Sequence, residues 1–281
     1  MRITIIGATG FIGRHLTAAL RARGDEVVTA SLRDPAAAAQ ACCGSQAIVN
    51  LAGEPVAQRW TPEVKAKIRS SRVDAPSALF DALTTLDDRP QAYVSSSAIG
   101  YYGTSETATF DETSPAGSDL LADVCVAWEA VADRFAELDM RVAKIRTGIV
   151  LGTDGGALAQ LLPLFKLGVG GIVASGKQWY SWIHVDDEVG VYLHAIDGAA
   201  GVLDATAPNP ATNAEFTHAL GKALHRPTFF PVPEFVLTMM LGEAALVVTR
   251  GQRVLPTRTL ETGYRFKYET LDAAMTAIAA S

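Results

Sequence analysis

The sequence predicts an α/β protein built on a parallel, doubly wound sheet, with a smaller α/β lobe towards its C-terminal end. Three observations predict it. Short apolar runs alternate with helical periodicities through about residue 150, and parallel strands need such helical crossovers. The first apolar run passes through a glycine-rich turn directly into a helix. After residue 150 the pattern becomes mixed, punctuated by Gly168, Gly170, Gly171 and Gly176 and by Pro208, Pro210, Pro227, Pro231 and Pro233.

Residues 2–6 (RITII) read as a short buried strand. Over residues 12–23, Ile12, Leu16 and Leu20 recur at helical spacing until Gly24 ends the run. Residues 26–30 (EVVTA) predict a second strand. The following DPAAAAQA predicts a short helix, because alanine favours helix strongly. Residues 47–53 (AIVNLAG) read as a third strand leading into a loop, and residues 61–86 as one long helix. Residues 92–97 (AYVSSS) read as a strand ending in hydroxyls. A helix is predicted over residues 120–138 and a strand over residues 141–152. The Met- and Leu-rich segment 233–248 predicts a buried lobe helix, since its polar face lacks the Lys and Arg of a membrane-surface helix.

The chain has 281 residues, 49% of them hydrophobic, and a net charge of -6. That length supports a sizeable core. The acidic balance and the lack of a basic cluster with interleaved aromatics argue against a nucleic-acid partner. No apolar stretch reaches the roughly 18 residues of a membrane span, and the glycines at 7, 10 and 13 interrupt the N-terminus as no signal peptide would be. Cys42, Cys43 and Cys125 form neither a disulfide framework nor a metal spacing. They read as reduced thiols of a cytoplasmic protein.

The run Gly7-Ala8-Thr9-Gly10-Phe11-Ile12-Gly13 follows a strand and opens a helix. In that setting it predicts a dinucleotide site. Glycines let the backbone turn tightly and approach the pyrophosphate, which the helix N-terminus attracts through its free N–H groups and dipole. The fold is therefore Rossmann-like. Residues 1–152 form the expected nucleotide-binding domain, with a core continuing in part to about residue 205, and residues 153–281 the smaller substrate lobe. NAD-specific sites place a carboxylate at the end of the second strand. Here the chain reads Thr29-Ala30-Ser31-Leu32-Arg33. Ser31 and Arg33, with Arg14 from the first helix, suit a 2′-phosphate, so the expected cofactor is NADP(H). Asp34, one residue later, is the feature that would favour NAD.

These residues resemble the extended short-chain dehydrogenase/reductase superfamily, which includes nucleotide-sugar epimerases and dehydratases. Asn50-Leu51-Ala52-Gly53 resembles its cofactor-side loop after the central strand. Ser95-Ser96-Ser97 with Tyr101-Tyr102-Gly103 resembles its catalytic-serine strand, and residues 146–152 the strand and loop near the nicotinamide. Trp182-Ile183-His184-Val185-Asp186-Asp187 resembles the segment entering a C-terminal helix. GKQWYSWIHVDDEV and GQRVLPTRTLETGYRF are similar to a narrower subgroup labelled epimerase family proteins. The resemblance implies cofactor contacts from Gly7, Thr9, Gly10, Phe11, Ile12, Gly13, Leu51, Ala52, Gly53 and Ser95. It implies a small-molecule substrate, a nucleotide sugar or another carbonyl or hydroxyl compound, and a homodimer through the helices at 61–86 and 120–138.

Redox members of that superfamily carry Tyr-x-x-x-Lys on the helix after the serine strand. In this chain Cys125 and Glu129 fall at those positions, and the helix has neither Tyr nor Lys. A Glu in place of the Lys reverses the local charge and cannot depress a neighbour's pKa in the same way. Ser97, Tyr101 or Tyr102, Cys125 and Glu129 are the remaining proton-transfer candidates, with Glu129 a base if burial beside Trp128 raises its pKa. His184, Arg146 and Trp182 are the substrate-side candidates. Asp186 or Asp187 is expected to cap a helix, and no metal site is expected. Three functions follow: an NADP(H)-dependent oxidoreductase or epimerase with an altered site, a non-catalytic NADP(H)-binding regulator, or a different reaction in the cleft with the nucleotide serving as structure. An enclosed polar cleft with Tyr102 or Glu129 pointing in would favour the first, and an apolar pocket the second.

Overall fold

In the computed structural model, which describes residues 1–280, strand β1 (Arg2–Ile6) feeds helix α1 (Phe11–Ala22). Then come β2 (Glu26–Ala30), α2 (Pro35–Cys42), β3 (Ala47–Asn50), α3 (Pro62–Arg72), α4 (Asp74–Leu83) and β4 (Ala92–Ala98). Next are β5 (Thr109–Phe110), α5 (Leu120–Arg134), β6 (Arg141–Thr147) and β7 (Ile149–Leu151). The chain continues through α6 (Gly156–Lys166), β8 (Trp179–Tyr180), β9 (Trp182–His184), α7 (Val185–Asp197) and β10 (Gly201–Ala205). It ends with β11 (Ala211–Thr212), α8 (Asn213–Ala223), α9 (Glu234–Leu241), α10 (Leu246–Thr249), β12 (Arg253–Val254), α11 (Thr257–Glu261) and α12 (Leu271–Ala280).

Six strands form one parallel sheet in the order β10-β6-β4-β3-β1-β2. The Rossmann-like fold follows from residue alternation. Ile3, Ile5, Val49, Val94 and Ile145 face one side and bury Leu16 and Leu20 of α1 and Val191 and Tyr192 of α7. Ile6, Ile48 and Tyr93 face the other and bury Leu79 and Phe80 of α4 and Phe135. Both faces are covered, so the strands read as continuous apolar runs. The strand order reverses at β1, leaving a crevice beyond the carboxyl ends of β1 and β3 where such sheets bind ligands. A separate core around Leu158, Leu162, Phe165, Trp182, Phe216 and Met275 holds the smaller lobe.

Four local expectations are corrected. The helix expected over 61–86 breaks at Val73 into α3 and α4, because Pro76 has no N–H to continue the ladder to the Arg72 carbonyl. The strand expected over 141–152 leaves the sheet at Gly148, where a Cβ would lie 2.4 Å from the Ser181 carbonyl, and β7 pairs with β9 instead. Segment 233–248 is not a buried helix. Gly242, at φ 62°, ends α9, and Phe235, Met239 and Met240 are exposed, since α6, α8 and α12 already close the lobe core. Neither Asp186 nor Asp187 caps α7. The His184 ring accepts the Asp186 N–H at 3.1 Å. Asp187 instead accepts the backbone N–H groups of Lys267 and Tyr268 at 2.7 and 2.9 Å. No helix is long and apolar enough to cross a membrane among the described residues.

Candidate functional site

The glycine turn is a cradle set by close contacts. Gly7 has φ 85°, and a Cβ there would lie 3.0 Å from the backbone of Leu51 and Ala52 after β3. A Cβ on Gly13 would lie 2.2 Å from the Gly7 carbonyl and 2.8 Å from Ala8 Cα. The third glycine therefore lets α1 close on the turn. Gly10 is the N-cap of α1, and no side chain caps the helix. Its N-terminal N–H groups and positive dipole end suit a pyrophosphate. Thr9 and Gly10 are exposed at this edge, while Phe11 and Ile12 are half-buried.

Phe11 sits in a cup that sequence reading missed. Cβ atoms on Gly152 and Gly155 would come within 2.7 and 2.4 Å of its ring. Between those glycines, Asp154 bonds His15 at 3.0 Å and pairs with Arg14 at 3.2 Å. Loop 152–156 is thus fastened across the start of α1. The glycine cluster Gly152, Gly155 and Gly156 was the available signal, but it reads as an ordinary turn until Phe11 is seen inside it. Arg14, expected near a 2′-phosphate, is turned to Asp154.

At the end of β2, Ser31 and Arg33 are both exposed, and the Arg33 N–H donates to Ser31 Oγ at 3.3 Å. Asp34 is committed elsewhere. Its carboxylate accepts the Ala37 N–H at 3.0 Å and caps α2. On the other side, Asn50 fixes the β3 loop by donating to Tyr93 at 2.9 Å and accepting the Ala52 N–H at 3.1 Å. Gly53 leaves room for the Arg72 guanidinium, 3.0 Å from where its Cβ would stand.

The proposed proton-transfer residues are drawn into one buried network. Arg146 grips Glu129 with two hydrogen bonds of 2.7 and 2.9 Å. Ser97 donates to the same carboxylate at 2.7 Å. Arg146 also donates to the Tyr102 oxygen at 2.9 Å, and Tyr102 donates to Asp204 at 2.8 Å. The Tyr101 ring lies 3.4 Å below the guanidinium. Burial works against the Arg146 charge, but the bonds and charge of Glu129 outweigh it and raise its pKa. Burial and then the Asp204 charge hold Tyr102 as a neutral phenol. Burial, followed by the nearby Glu112, raises the pKa of Asp204. Glu112 joins the lobes by accepting N–H groups from Asp204 and Thr259 at 3.1 and 3.0 Å.

A cavity of about 520 Å³ opens where Ala98 ends β4 and Gly148 follows β6. Its wall is mainly apolar. Trp60, Trp128 and Trp179 border it, with Leu121, Val124 and Leu246. Cys125 also borders it, and burial, then Glu129, pushes its thiol up to about 12. Ser97, Tyr102, Glu129 and Arg146 do not line it. Ser95 is buried and donates to the Ser96 carbonyl at 3.0 Å. Trp182 is fully buried in the lobe core and donates to the Asn209 carbonyl at 3.1 Å. His184 is buried against Tyr268, 4.1 Å between ring centroids, and burial lowers its pKa. The structure therefore brings Ser97, Tyr102, Glu129 and Arg146 together, leaves Cys125 on the cavity wall, and puts His184 and Trp182 elsewhere. The cavity wall also holds Arg72 and Arg250, and Arg72 was missed because it lies inside what read only as one long helix.

Comparison with known proteins agrees with this geometry. Residues 3–204 match the NAD dependent epimerase/dehydratase family, and residues 232–278 match a domain of unknown function. An Arabidopsis thaliana protein, "Epimerase family protein SDR39U1 homolog, chloroplastic", is 45% identical over 99% of this chain and 86% of its own length. The crystal structure of human epimerase family protein SDR39U1 with NADPH superposes with a TM-score of 0.92 at 37% identity, covering 100% of this chain and 99% of that one. The nucleoside-diphosphate sugar epimerase of Corynebacterium glutamicum gives a TM-score of 0.81 at 32% identity, over 99% of this chain and 58% of that one. A glycine cradle at the switch point of a parallel sheet, matched across 3–204, means that the chain belongs to the NAD dependent epimerase/dehydratase family.

Proposed function

We propose that this protein binds NADP(H) and works as an oxidoreductase or epimerase on a small molecule. The glycine cradle carries the reading. Backbone clearance at Gly7 and Gly13 and the free N-terminus of α1 meet at the crevice beyond β1 and β3, which is the shape and charge a pyrophosphate needs. Exposed Arg33 and Ser31, with Asp34 spent as a helix cap, favour a 2′-phosphate over a free ribose hydroxyl. The NADPH in the human relative's crystal supports the same choice. The bound nicotinamide would supply or accept hydride. Thr9, Phe11, Ile12, Leu51, Ala52, Gly53 and Ser95 complete the proposed cofactor wall.

This chain lacks the Tyr-x-x-x-Lys pair. Helix α5 contains neither residue, so proton exchange falls to other groups. Cys125 is the proposed candidate that borders the cavity. Ser97 donates to Glu129, Glu129 accepts from Arg146, and Tyr102 accepts from Arg146 and donates to Asp204, and in this reading they hold the α5 face in place. One observation favours a second reading as a non-catalytic NADP(H)-binding regulator: the cavity wall is apolar and neither Tyr102 nor Glu129 reaches it. The reduced thiols fit a cytoplasmic protein, and the resemblance favours a homodimer, which sedimentation velocity would test.

Fluorescence titration with NADPH and NADH, on wild type and Arg33→Ala, tests the cofactor. Tighter NADPH binding that Arg33→Ala abolishes is the expected result. No binding of either nucleotide by folded protein overturns the reading. NADPH oxidation across a panel of carbonyl compounds then separates the two functions, turnover selecting the enzyme.

A further inference from the structure

The charges around the cavity are unequally matched. Asp119 accepts the Ala122 N–H at 2.9 Å as the cap of α5, and Glu243 pairs with Lys65 at 2.6 Å. Arg250 lies 3.8 Å from Glu234. Arg72 makes no ion pair within 4.0 Å among the described residues, and among carboxylates only the more distant Glu54 offsets its charge. Its Nη1 donates to the carbonyls of Glu54 and Ile68 at 2.9 and 3.3 Å, while Nη2 and Nε make no hydrogen bond. The guanidinium stands 5.0 Å from the centre of the Trp128 ring, in a setting where burial lowers its pKa. A half-buried cation on an apolar wall carries a desolvation cost that an anion with two acceptor oxygens offsets best, because the guanidinium fork binds carboxylates in bidentate fashion.

The rest of the wall restricts the ligand's body. Most of the neutral polar side chains there are already used, the Trp128 indole N–H excepted. Ser181 Oγ donates to the Gln252 carbonyl at 2.8 Å and accepts the Val254 N–H at 2.9 Å. Gln252 donates to the Ile99 carbonyl at 2.8 Å, and the indoles of Trp60 and Trp179 donate to the carbonyls of Val56 and Glu106, each at 2.9 Å. A nucleotide sugar would bury a diphosphate and several hydroxyls against a mainly apolar wall with few free donors, at a cost for each group left unpaired. Indole faces and aliphatic side chains suit a flat apolar body. The volume, about 520 Å³, lies within the roughly 300–1,000 Å³ of small-molecule sites.

Building on the NADP(H) reading, we infer that this cavity binds an aromatic carboxylic acid, its carboxylate on Arg72 and its ring system among Trp60, Trp128 and Trp179. The substrate or effector class is therefore a ring-bearing monoanion.

Calorimetric titration of the full chain, with and without NADPH, tests this with three probes: 2-naphthoate, its neutral isostere 2-naphthamide, and UDP-glucose. The expected result is that 2-naphthoate binds roughly tenfold or more tightly than the amide, one charge-assisted pair being worth about that factor, and that UDP-glucose does not compete. Arg72→Gln is expected to erase the acid-over-amide preference, and Arg72→Lys to keep part of it. Equal binding of acid and amide to wild type, binding of neither, or displacement of 2-naphthoate by UDP-glucose overturns the inference, and these arms need no variant to fold. A protein that binds 2-naphthoate but not NADPH would overturn the cofactor reading alone.

Discussion

Glu129 of α5 and Arg146 of β6 face each other as a two-bonded pair, Nε to Oε1 at 2.7 Å and Nη2 to Oε2 at 2.9 Å. Both are buried. The pair turns a carboxylate that could have served as a base into the counterion of an arginine. Removing one partner leaves the other charge buried, which is more costly than removing both. Glu129→Gln should destabilise the fold by about 3 kcal/mol in urea unfolding. The double variant Glu129→Met/Arg146→Met should recover much of that loss. Unchanged stability in Glu129→Gln would mean that the pair contributes nothing.

The cradle depends on Gly13 more than on its flexibility. Its Cβ would clash with the Gly7 carbonyl at 2.2 Å, and backbone cannot swing away as a side chain can. Gly13→Ala should cost about 2–3 kcal/mol by overpacking and weaken NADPH binding severely. Gly24, at φ 89° with nothing within 4 Å of its Cβ position, is the control. Gly24→Ala should cost about 1 kcal/mol from backbone strain alone and leave nucleotide binding intact. Similar NADPH affinities for the two variants would contradict the clearance argument.

The Cys125 thiol borders the cavity yet is held protonated, pushed up to about 12 by burial and by Glu129. Only the thiolate reacts quickly with disulfides. Mass mapping after brief exposure to Ellman's reagent at pH 7.5 should find half-buried Cys43 modified first and Cys125 hardly at all. Fast modification of Cys125 in folded protein would instead identify an available nucleophile.

Glu188 is fully buried, and burial lifts it to about 8 from its ordinary 4.5. One oxygen accepts from Thr147 at 2.7 Å, and the other has no partner. Between those two pKa values the folded state holds a proton that the unfolded state has lost. Stability should therefore fall as pH rises from about 4.5 to 8. Glu188→Gln removes the titration. It should match wild type near pH 4.5 and exceed it by roughly 2–4 kcal/mol at pH 8. A variant less stable than wild type at pH 8 would rule out this cost.

Much of the nucleotide half was legible in the residues themselves. Strands β1 to β4, helix α1 and the Gly7–Gly13 turn are local features: a period of apolar residues, a helix stop at Gly24, a glycine where φ turns positive. Such signals need only neighbours in the chain. Asp34 shows the limit. Read alone it could hold a ribose or cap a helix, and only the position of Ala37 N–H shows that it caps one.

The candidate side chains Ser97, Tyr102, Glu129 and Arg146 were legible as a list but not as an arrangement, and Asp204 was not read at all. Ser97, Tyr102, Glu129, Arg146 and Asp204 span more than a hundred positions, and their partners are set by which strands lie side by side. Parallel pairing of β4, β6 and β10 puts Ser97 beside Arg146 and Arg146 beside Asp204. The same packing sends Trp182 into the lobe core, leaves Trp179 on the cavity wall and exposes α9. Sequence alone determined that this chain would bury a parallel sheet and present a dinucleotide turn, because hydrophobic period and glycine stereochemistry act locally. Tertiary structure decided which charges meet and which one, Arg72, borders a cavity with no ion pair among the described residues, because Coulomb interactions and desolvation depend on distances that only the folded chain sets.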